Sequence, residues 1–292
     1  MLSLLLVLAT TAFAYRNPSA DIDLLPGWMG SEFRPAGLPH VRPPHFNHLP
    51  PSGPIPLDWN ARIFLWPGFL SPEEADHIRQ IAEPNLLRSW VADNDDGHSE
   101  LSNVRTSKGT FLRRRQDPII TRIENRIAMW TLLPVEHGEG LQVLRYKGGE
   151  KYDAHYDYFH DAENVKNGGN RVATVLMYLA DTEEGGETAF PHVPAPGDNE
   201  GFSECARPFL AAKPKKGDAI LFHSMTPEAQ LEEGSMHVAC PVIRGEKWSA
   251  AKWIHVRPFD TPDDGATEGD LRAAMRKSGT CSVGSVENHH YV

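Results

Sequence analysis

Cysteine is scarce in this sequence, with only 3 among 292 residues. So few cysteines exclude a small disulfide scaffold, and their odd number leaves at least one thiol unpaired within the chain. An excess of basic residues is also lacking, because 29 Lys and Arg against 39 Asp and Glu give a formal net charge of −10. A chain with this balance is not expected to bind nucleic acid or an anionic membrane surface.

The apolar run at residues 2–14 is shorter than the roughly 20 residues that a membrane-spanning helix needs. It ends in Ala12-Phe13-Ala14, the small-x-small pattern that signal peptidase cleaves. We therefore predict a signal peptide over residues 1–14 and no stable membrane span after its cleavage. The alternative is a shortened membrane anchor, because no Lys or Arg precedes the run. The predicted location is the secretory pathway, in the lumen of the endoplasmic reticulum or Golgi, or outside the cell.

Proline and glycine are abundant, with 24 residues of each, and this composition favours β structure over a helical bundle. Ten prolines, interleaved with three histidines, lie between residues 18 and 56, a composition typical of extended or polyproline-like chain. We interpret residues 15–56 as a Pro-rich leader. It is either a flexible leader or a strap packed on the domain, or it occupies a proline-binding groove on this or another copy of the protein. Binding to another copy would give self-association.

The rest of the chain separates into helical and strand-like segments. Ser71-Pro72-Glu73-Glu74 and Asp117-Pro118 both carry helix-start signals and precede apolar stripes, so they predict two helices that cover one face of a sheet. Short apolar or alternating runs predict strands after Pro134. These runs are 141–146, 173–180, 219–223, 238–243 and 248–256. The predicted fold class is mainly β with flanking helices, a sandwich or barrel over residues 57–260, followed by a polar mobile tail at 261–292.

The stretch around His155 and Asp157 holds the strongest chemical signal. On a strand, residues two positions apart project from the same face, so this imidazole and this carboxylate would lie side by side. A third metal ligand is needed, and His223 and His237 are the candidates. We favour His237, because Lys247 follows it at an offset that places a cation on the next antiparallel strand, facing the same cavity.

Two imidazoles and one carboxylate on one face of a metal leave positions open, which suits non-heme Fe(II) and O2 chemistry. Zinc hydrolases also use two histidines and an acid, but no His-Glu-x-x-His motif occurs here. A buried Lys next to such a centre suits a dianionic cosubstrate whose far carboxylate needs a cation.

Several separate stretches of the chain match the motifs of one enzyme family in the same order and spacing. They are Leu141–Tyr146, 155–159, 184–188, 216–219, His237 and Lys247–His255. In this arrangement the chain resembles the prolyl 4-hydroxylases of the Fe(II) and 2-oxoglutarate dioxygenase superfamily, in particular the algal and plant secretory-pathway enzymes. The resemblance extends over about residues 58–258 and implies a double-stranded β-helix, the cupin-like jelly roll.

The resemblance also implies roles for individual residues. Iron ligands would be His155, Asp157 and His237. Lys247 would hold the C5 carboxylate of 2-oxoglutarate, with Tyr146 and Thr188 in the same pocket. Arg171, Trp253 and His255 would line the peptide groove, and residues 103–111 resemble the mobile loop that closes over the peptide. Cys205 and Cys240 either pair in an oxidising lumen or remain free buried thiols.

The implied activity is hydroxylation of peptidyl proline in proline-rich or collagen-like sequences. It would use Fe(II), 2-oxoglutarate and O2, with ascorbate as an accessory, and would release succinate and CO2. Two alternatives stay open. One is a non-catalytic module that binds proline motifs, and the other is a related dioxygenase acting on lysyl or non-peptide substrates.

Overall fold

Both predicted helices and the strand-rich region are present in a computed structural model of the chain, which describes residues 53–88, 90–92, 99–101 and 106–261. The predicted signal peptide, nearly all of the leader and the tail from residue 262, including Cys281, lie outside these residues. So do residues 103–105 of the predicted mobile loop. Among the described helices, none is long and apolar enough to cross a membrane.

The helices begin where the capping signals predict. Helix α1 is Pro72–Ala82, and the Ser71 hydroxyl accepts a hydrogen bond from the Glu74 backbone N–H while the Glu74 carboxylate accepts one from the Ser71 N–H. Helix α2 is Pro118–Thr131, and the Asp117 carboxylate accepts hydrogen bonds from the first turn. These contacts, which are reciprocal only at α1, satisfy backbone donors that a helix start leaves unpaired. Three short 3-10 helices are Glu83–Asn85, Val135–His137 and Glu233–Ser235.

The strands number sixteen in the described residues. In chain order they are β1 Ile55–Asp58, β2 Ile63–Trp66, β3 Leu87–Arg88, β4 Trp90–Ala92, β5 Ser99–Leu101, β6 Lys108–Leu112, β7 Leu141–Tyr146, β8 Tyr152–His155, β9 Arg171–Tyr178, β10 Glu184–Gly185, β11 Thr188–Pro194, β12 Phe209–Ala212, β13 Ala219–His223, β14 His237–Ala239, β15 Val242–Arg244 and β16 Lys247–His255.

Two antiparallel sheets form the core of the fold, and two further two-stranded sheets are β4-β5 and β10-β15. The large sheet has eight strands in the order β1-β2-β13-β9-β16-β7-β6-β3, and the small sheet has four in the order β12-β11-β14-β8. Side chains of both sheets share one apolar cluster, in which Phe190 and Leu210 of the small sheet pack with Tyr178, Ile220 and Phe222 of the large sheet. The small sheet therefore faces the large one, and the predicted jelly roll is confirmed.

The second face of the large sheet is covered by the two helices. Apolar residues at helical spacing, such as Ile78 of α1 and Ile123 and Ile127 of α2, are buried against Val175 and Trp248 of the sheet. The main apolar core thus lies between helices and sheet. Part of the space between the two sheets, next to the cluster around Phe190, contains the candidate site.

Three local features differ from the sequence expectations. Strand β1 begins at Ile55, before the predicted domain start at Leu57. The single strand expected at 238–243 is divided into β14 and β15 at Cys240 and Pro241, because proline has no N–H to donate to a ladder. Within the predicted mobile loop, residues 108–111 belong to β6, which pairs with β7.

Cys205 and Cys240 form a disulfide bond in the structure. This resolves the two possibilities that the sequence left open for these residues. The bond joins the segment before β12 to the residue that follows β14, three positions after His237. It therefore connects a surface segment to the strand that carries a candidate metal ligand.

Candidate functional site

A cavity that opens to solvent lies between the two sheets, and its empty space, including the open part, is about 460 Å³. The large sheet contributes alternate residues of its central strands, and the small sheet contributes residues of β8, β11 and β14. The lining residues are Gln142, Leu144, Tyr146, Tyr152, His155, Asp157, Thr174, Leu176, Thr188, Phe222, His237, Ala239, Lys247, Ser249, Ala251 and Trp253. Most of the residues predicted from the sequence therefore reach one space.

The three predicted metal ligands converge in this cavity. Strands β8 and β14 pair with His237 directly opposite His155, so their rings lie side by side with centroids 4.2 Å apart. The Asp157 carboxylate lies 3.8 Å from Nε2 of each imidazole. Ligand atoms of all three side chains lie within 4.8 Å of one another. His223, the competing candidate, instead contacts the Arg62 carbonyl oxygen through Nδ1.

The orientation of both imidazoles is set by their own backbone. Nδ1 of His155 donates to the Asp153 carbonyl oxygen at 2.8 Å, and Nδ1 of His237 donates to the Ser235 carbonyl oxygen at 3.0 Å. An imidazole that donates from Nδ1 presents the Nε2 lone pair to a metal. Burial raises the pKa of Asp157, but the His237 and His155 imidazoles outweigh it and hold this pKa below its usual value. The donor set, two Nε2 atoms and one carboxylate, is that of a facial Fe(II) site.

Thr174 supports the carboxylate from the large sheet. Its hydroxyl donates to Asp157 Oδ2 at 2.6 Å, and the residue is buried. Outer contacts of this kind orient a metal ligand, and loss of one typically lowers metal affinity by about 10- to 100-fold.

Replacing Thr174 with Val is expected to lower metal affinity by about 10- to 100-fold, because the donor is lost while the side-chain shape is nearly kept. Anaerobic Fe(II) titration or Co(II) absorption measures the change. Thr174→Ser retains the hydroxyl and is expected to bind metal almost normally. Equal affinity in the wild-type and Val proteins would contradict the assignment.

Lys247 reaches the cavity from β16 and is 1% exposed. Its Nζ donates to Thr188 Oγ1 at 3.3 Å and lies 5.6 and 5.8 Å from the ring centroids of Tyr146 and Tyr178. The Tyr178 hydroxyl also donates to Thr188 Oγ1, at 2.8 Å. Since Thr188 already accepts two hydrogen bonds, its own proton is available to an acceptor in the cavity. Burial lowers the pKa of Lys247 to about 7, opposed by the Glu187 carboxylate.

A second buried lysine has a carboxylate partner and provides a comparison for Lys247. Lys252, on the opposite face of β16, has its Nζ 2.6 Å from Glu124 Oε1. Within the described residues, no carboxylate lies at ion-pair distance from Lys247. A buried ammonium is costly without a charged partner. Lys247 is therefore suited to bind an anionic ligand that enters the cavity.

Asp157 and His237 reach the cavity, but not for the local reasons predicted from the sequence. Strand β8 ends at His155, so Asp157 is positioned by the irregular segment after the strand and not by strand alternation. His237 and Lys247 lie in different sheets, on β14 and β16, and β15 separates them along the chain. They share a cavity because the two sheets face each other.

One carboxylate connects two of the three predicted peptide-groove residues, Arg171 and His255, and Arg171 contacts the third, Trp253. Glu139 Oε1 accepts hydrogen bonds from Arg171 Nε at 2.7 Å and from His255 Nε2 at 2.9 Å. The Arg171 guanidinium lies 3.8 Å from the centroid of a Trp253 ring. Burial raises the pKa of Glu139, but Arg171 and His255 outweigh it and lower this pKa to about 2. Only Trp253 lines the cavity directly, so the peptide-binding roles of Arg171 and His255 stay predictions.

Sequence reasoning missed several residues of the site. They are Glu139, Tyr152, Thr174 and Tyr178. Tyr152 stacks on the His155 ring with centroids 3.7 Å apart. Strand alternation could have found Thr174, because Thr174 and Leu176 lie two positions apart on β9 and both line the cavity. Glu139 carries no such signal, since it lies in an irregular segment between α2 and β7.

A jelly roll with a largely buried His-Asp-His cluster and a buried lysine in the same cavity defines a class, the oxygenases that use Fe(II) and 2-oxoglutarate. The family model of the 2OG-Fe(II) oxygenase superfamily matches residues 141–255. Probable prolyl 4-hydroxylase 7 of Arabidopsis thaliana is 45% identical over 254 residues, which cover 82% of this chain and 80% of the relative. Prolyl 4-hydroxylase 2 of the same plant is 50% identical over 216 residues, 72% of each chain.

The chain belongs to the prolyl 4-hydroxylase family of this superfamily. The resemblance stated from the sequence is thereby confirmed. Among solved structures, the viral collagen prolyl hydroxylase of Paramecium Bursaria Chlorella virus-1 is similar. It has 28% identity and a TM-score of 0.48, with 66% of this chain and 94% of that chain covered.

Proposed function

We propose that this chain hydroxylates C4 of proline in proline-rich or collagen-like peptides, using Fe(II), 2-oxoglutarate and O2 and releasing succinate and CO2. The observation that carries the proposal is the combination of a three-residue metal cluster and an ammonium without a carboxylate partner in one cavity. A module that only binds proline motifs has no use for both. Family membership supports the same reaction.

The residues at the cluster fit the metal. His155, Asp157 and His237 would hold Fe(II), with Thr174 fixing the carboxylate. When bound, the metal supplies O2 activation coupled to oxidation of 2-oxoglutarate. The chain itself fixes both imidazoles through their Nδ1 atoms and holds the cluster between two sheets.

The residues around Lys247 fit the cosubstrate. The ammonium would bind the far carboxylate of 2-oxoglutarate, and the Thr188 hydroxyl would donate to it. Tyr146, which is 2% exposed, would form the wall of this pocket. Charge-assisted hydrogen bonds of this kind are roughly twice as strong as neutral ones.

The affinity for 2-oxoglutarate is expected to fall as the pH rises above about 7. In the ligand-free protein the pKa of Lys247 is about 7, and a bound anion favours the ammonium form. Binding at pH 8 therefore takes up a proton, whereas at pH 6 the lysine is already charged and binding takes up almost none. Calorimetry in two buffers of different ionisation enthalpy measures this uptake. Lys247→Arg, whose side chain stays charged, is expected to show none. Absence of uptake by the wild-type protein at pH 8 would contradict the prediction.

The peptide would bind next to Trp253, with Arg171 and His255 behind it. Trp253 lines the cavity, so its indole ring can contact a bound peptide. A proline-rich peptide suits this site because it is already extended and loses little entropy on binding.

Mass spectrometry of poly(L-proline) and collagen-like peptides tests the proposal after incubation with Fe(II), ascorbate and 2-oxoglutarate. A gain of one oxygen on proline with matching succinate is the expected result. Oxidation of lysine instead, or succinate release that peptide does not stimulate, would reject it. The role of ascorbate as an accessory is part of the proposal and is tested by its omission.

We also propose that the chain enters the secretory pathway through residues 1–14 and acts in the endoplasmic reticulum or Golgi lumen or outside the cell. The disulfide between Cys205 and Cys240 supports an oxidising compartment. Self-association through the Pro-rich leader remains a proposal. It is tested by comparing peptide competition between the full chain and a chain that begins near Leu57.

A further inference from the structure

A buried ion pair lies on the helix side of the large sheet, behind Trp253. The neighbours of Lys252 on this face of β16, Ala250 and Ile254, belong to the apolar core, whereas Lys252 brings an ammonium into it. Lys252 is 2% exposed and pairs with Glu124 of α2. Buried ion pairs are weak evidence for stability, because apolar residues of similar volume often stabilise a fold as well or better. The pair therefore requires another explanation.

The second partner of Lys252 supplies that explanation. Its Nζ also donates a hydrogen bond to the backbone carbonyl of Glu139. The lysine side chain passes so close to Gly138 that a Cβ there would clash with Cε. The Glu139 N–H donates to the Trp253 carbonyl oxygen at 3.0 Å. Residues of β16 therefore hold the backbone of Glu139 at both its N–H and its C=O.

We refer to Lys252 and its partner Glu124 as the clamp. The Glu139 side chain connects this clamp to the groove. Its carboxylate is the one that receives both Arg171 and His255. We propose that Lys252 and Glu124 are positioning residues for peptide binding, which fix Glu139 and through it the two groove side chains. The inference rests on the proposed function, because it assumes that these side chains line the peptide groove.

A double variant separates positioning from stability. Lys252→Met alone leaves the Glu124 charge buried and unpaired, and it is expected to destabilise the fold strongly. Glu124→Gln combined with Lys252→Met removes both charges, and the Gln oxygen still accepts the hydrogen bond that the Arg115 N–H makes to Glu124. This clamp variant is expected to fold, but it lacks the donor to Glu139.

The chain offers a matched control. Arg126 also bridges a carboxylate and a backbone carbonyl in the helix layer, with 2.8 Å to Glu74 Oε2 and 2.7 Å to the Phe69 oxygen. This pair has no contact with Glu139 in the described structure. Glu74→Gln combined with Arg126→Met therefore removes a buried pair of the same kind without touching the groove.

The clamp variant is expected to raise the KM for a poly(L-proline) peptide by about tenfold or more, since small displacements of positioning groups have large effects. Its KM for 2-oxoglutarate and its kcat are expected to stay within about twofold of wild type. The control variant is expected to keep the wild-type peptide KM. An unchanged peptide KM in the clamp variant, or an equal rise in both variants, would overturn the inference.

A second readout does not depend on turnover. The 15N chemical shifts of the His255 ring report its contacts with Glu139 and with the Gly169 carbonyl oxygen. They are expected to change in the clamp variant and not in the control. Wild-type shifts in the clamp variant overturn the positioning role. Failure of the wild-type enzyme to hydroxylate any proline peptide would instead reject the proposed function, and the NMR result would still decide the role of the clamp.

Discussion

Replacing His237 with Ala is expected to abolish proline hydroxylation and the succinate formation coupled to it. The variant leaves His155 and Asp157 as the only protein ligands in a cluster of three. Loss of one of three ligands is more severe than loss of an outer contact, so we expect the affinity for Fe(II) to fall by more than about 100-fold.

Anaerobic Fe(II) titration and the peptide assay measure this loss, and circular dichroism checks that the variant is folded. His223→Asn is the matched control, because His223 is the histidine that competed for the same role from the sequence. Its Nδ1 lies 3.2 Å from the Arg62 carbonyl oxygen, and an Asn amide can donate there instead. The control is expected to retain metal and activity. Full turnover by His237→Ala would place the metal elsewhere.

The sequence was sufficient to predict the ligand residues but not the geometry that unites them. His155, Asp157 and His237 stand out because their residue types and the family motifs identify them without coordinates. Their actual approach depends on the pairing of β8 with β14, and the position of Lys247 depends on the packing of one sheet on the other. A local pattern contains no information about contacts between sheets.

The support of the groove was beyond prediction for the same reason. Glu139 lies 32 residues from Arg171 and 116 residues from His255, and it lies in neither a helix nor a strand. Periodicity cannot identify such a residue. Lys252 was part of a recognised motif, yet only its burial and its two partners indicate a purpose.

Replacing Lys247 with Met is expected to stabilise the ligand-free protein while removing its affinity for 2-oxoglutarate. Folding lowers the pKa of this buried lysine to about 7, so the unfolded chain binds the proton more tightly and the charge opposes folding at neutral and lower pH. Loss of the charge is expected to raise the free energy of unfolding by about 2–4 kcal/mol at pH 7. The gain shrinks between pH 7 and pH 10, where the wild-type lysine is already neutral in the folded state.

The same change removes the cation that would bind the far carboxylate, so the KM for 2-oxoglutarate is expected to rise by about 100-fold or more. Thermal unfolding with and without 2-oxoglutarate measures both effects, since the variant starts at a higher midpoint and gains nothing from the ligand. Lys252→Met is a control that is expected to shift the unfolding midpoint in the opposite direction. It leaves Glu124 unpaired, so it is expected to lower the unfolding midpoint. An unchanged 2-oxoglutarate KM in Lys247→Met would show that the cosubstrate binds elsewhere, because no other described residue brings a lysine ammonium or an arginine guanidinium into the cavity lining.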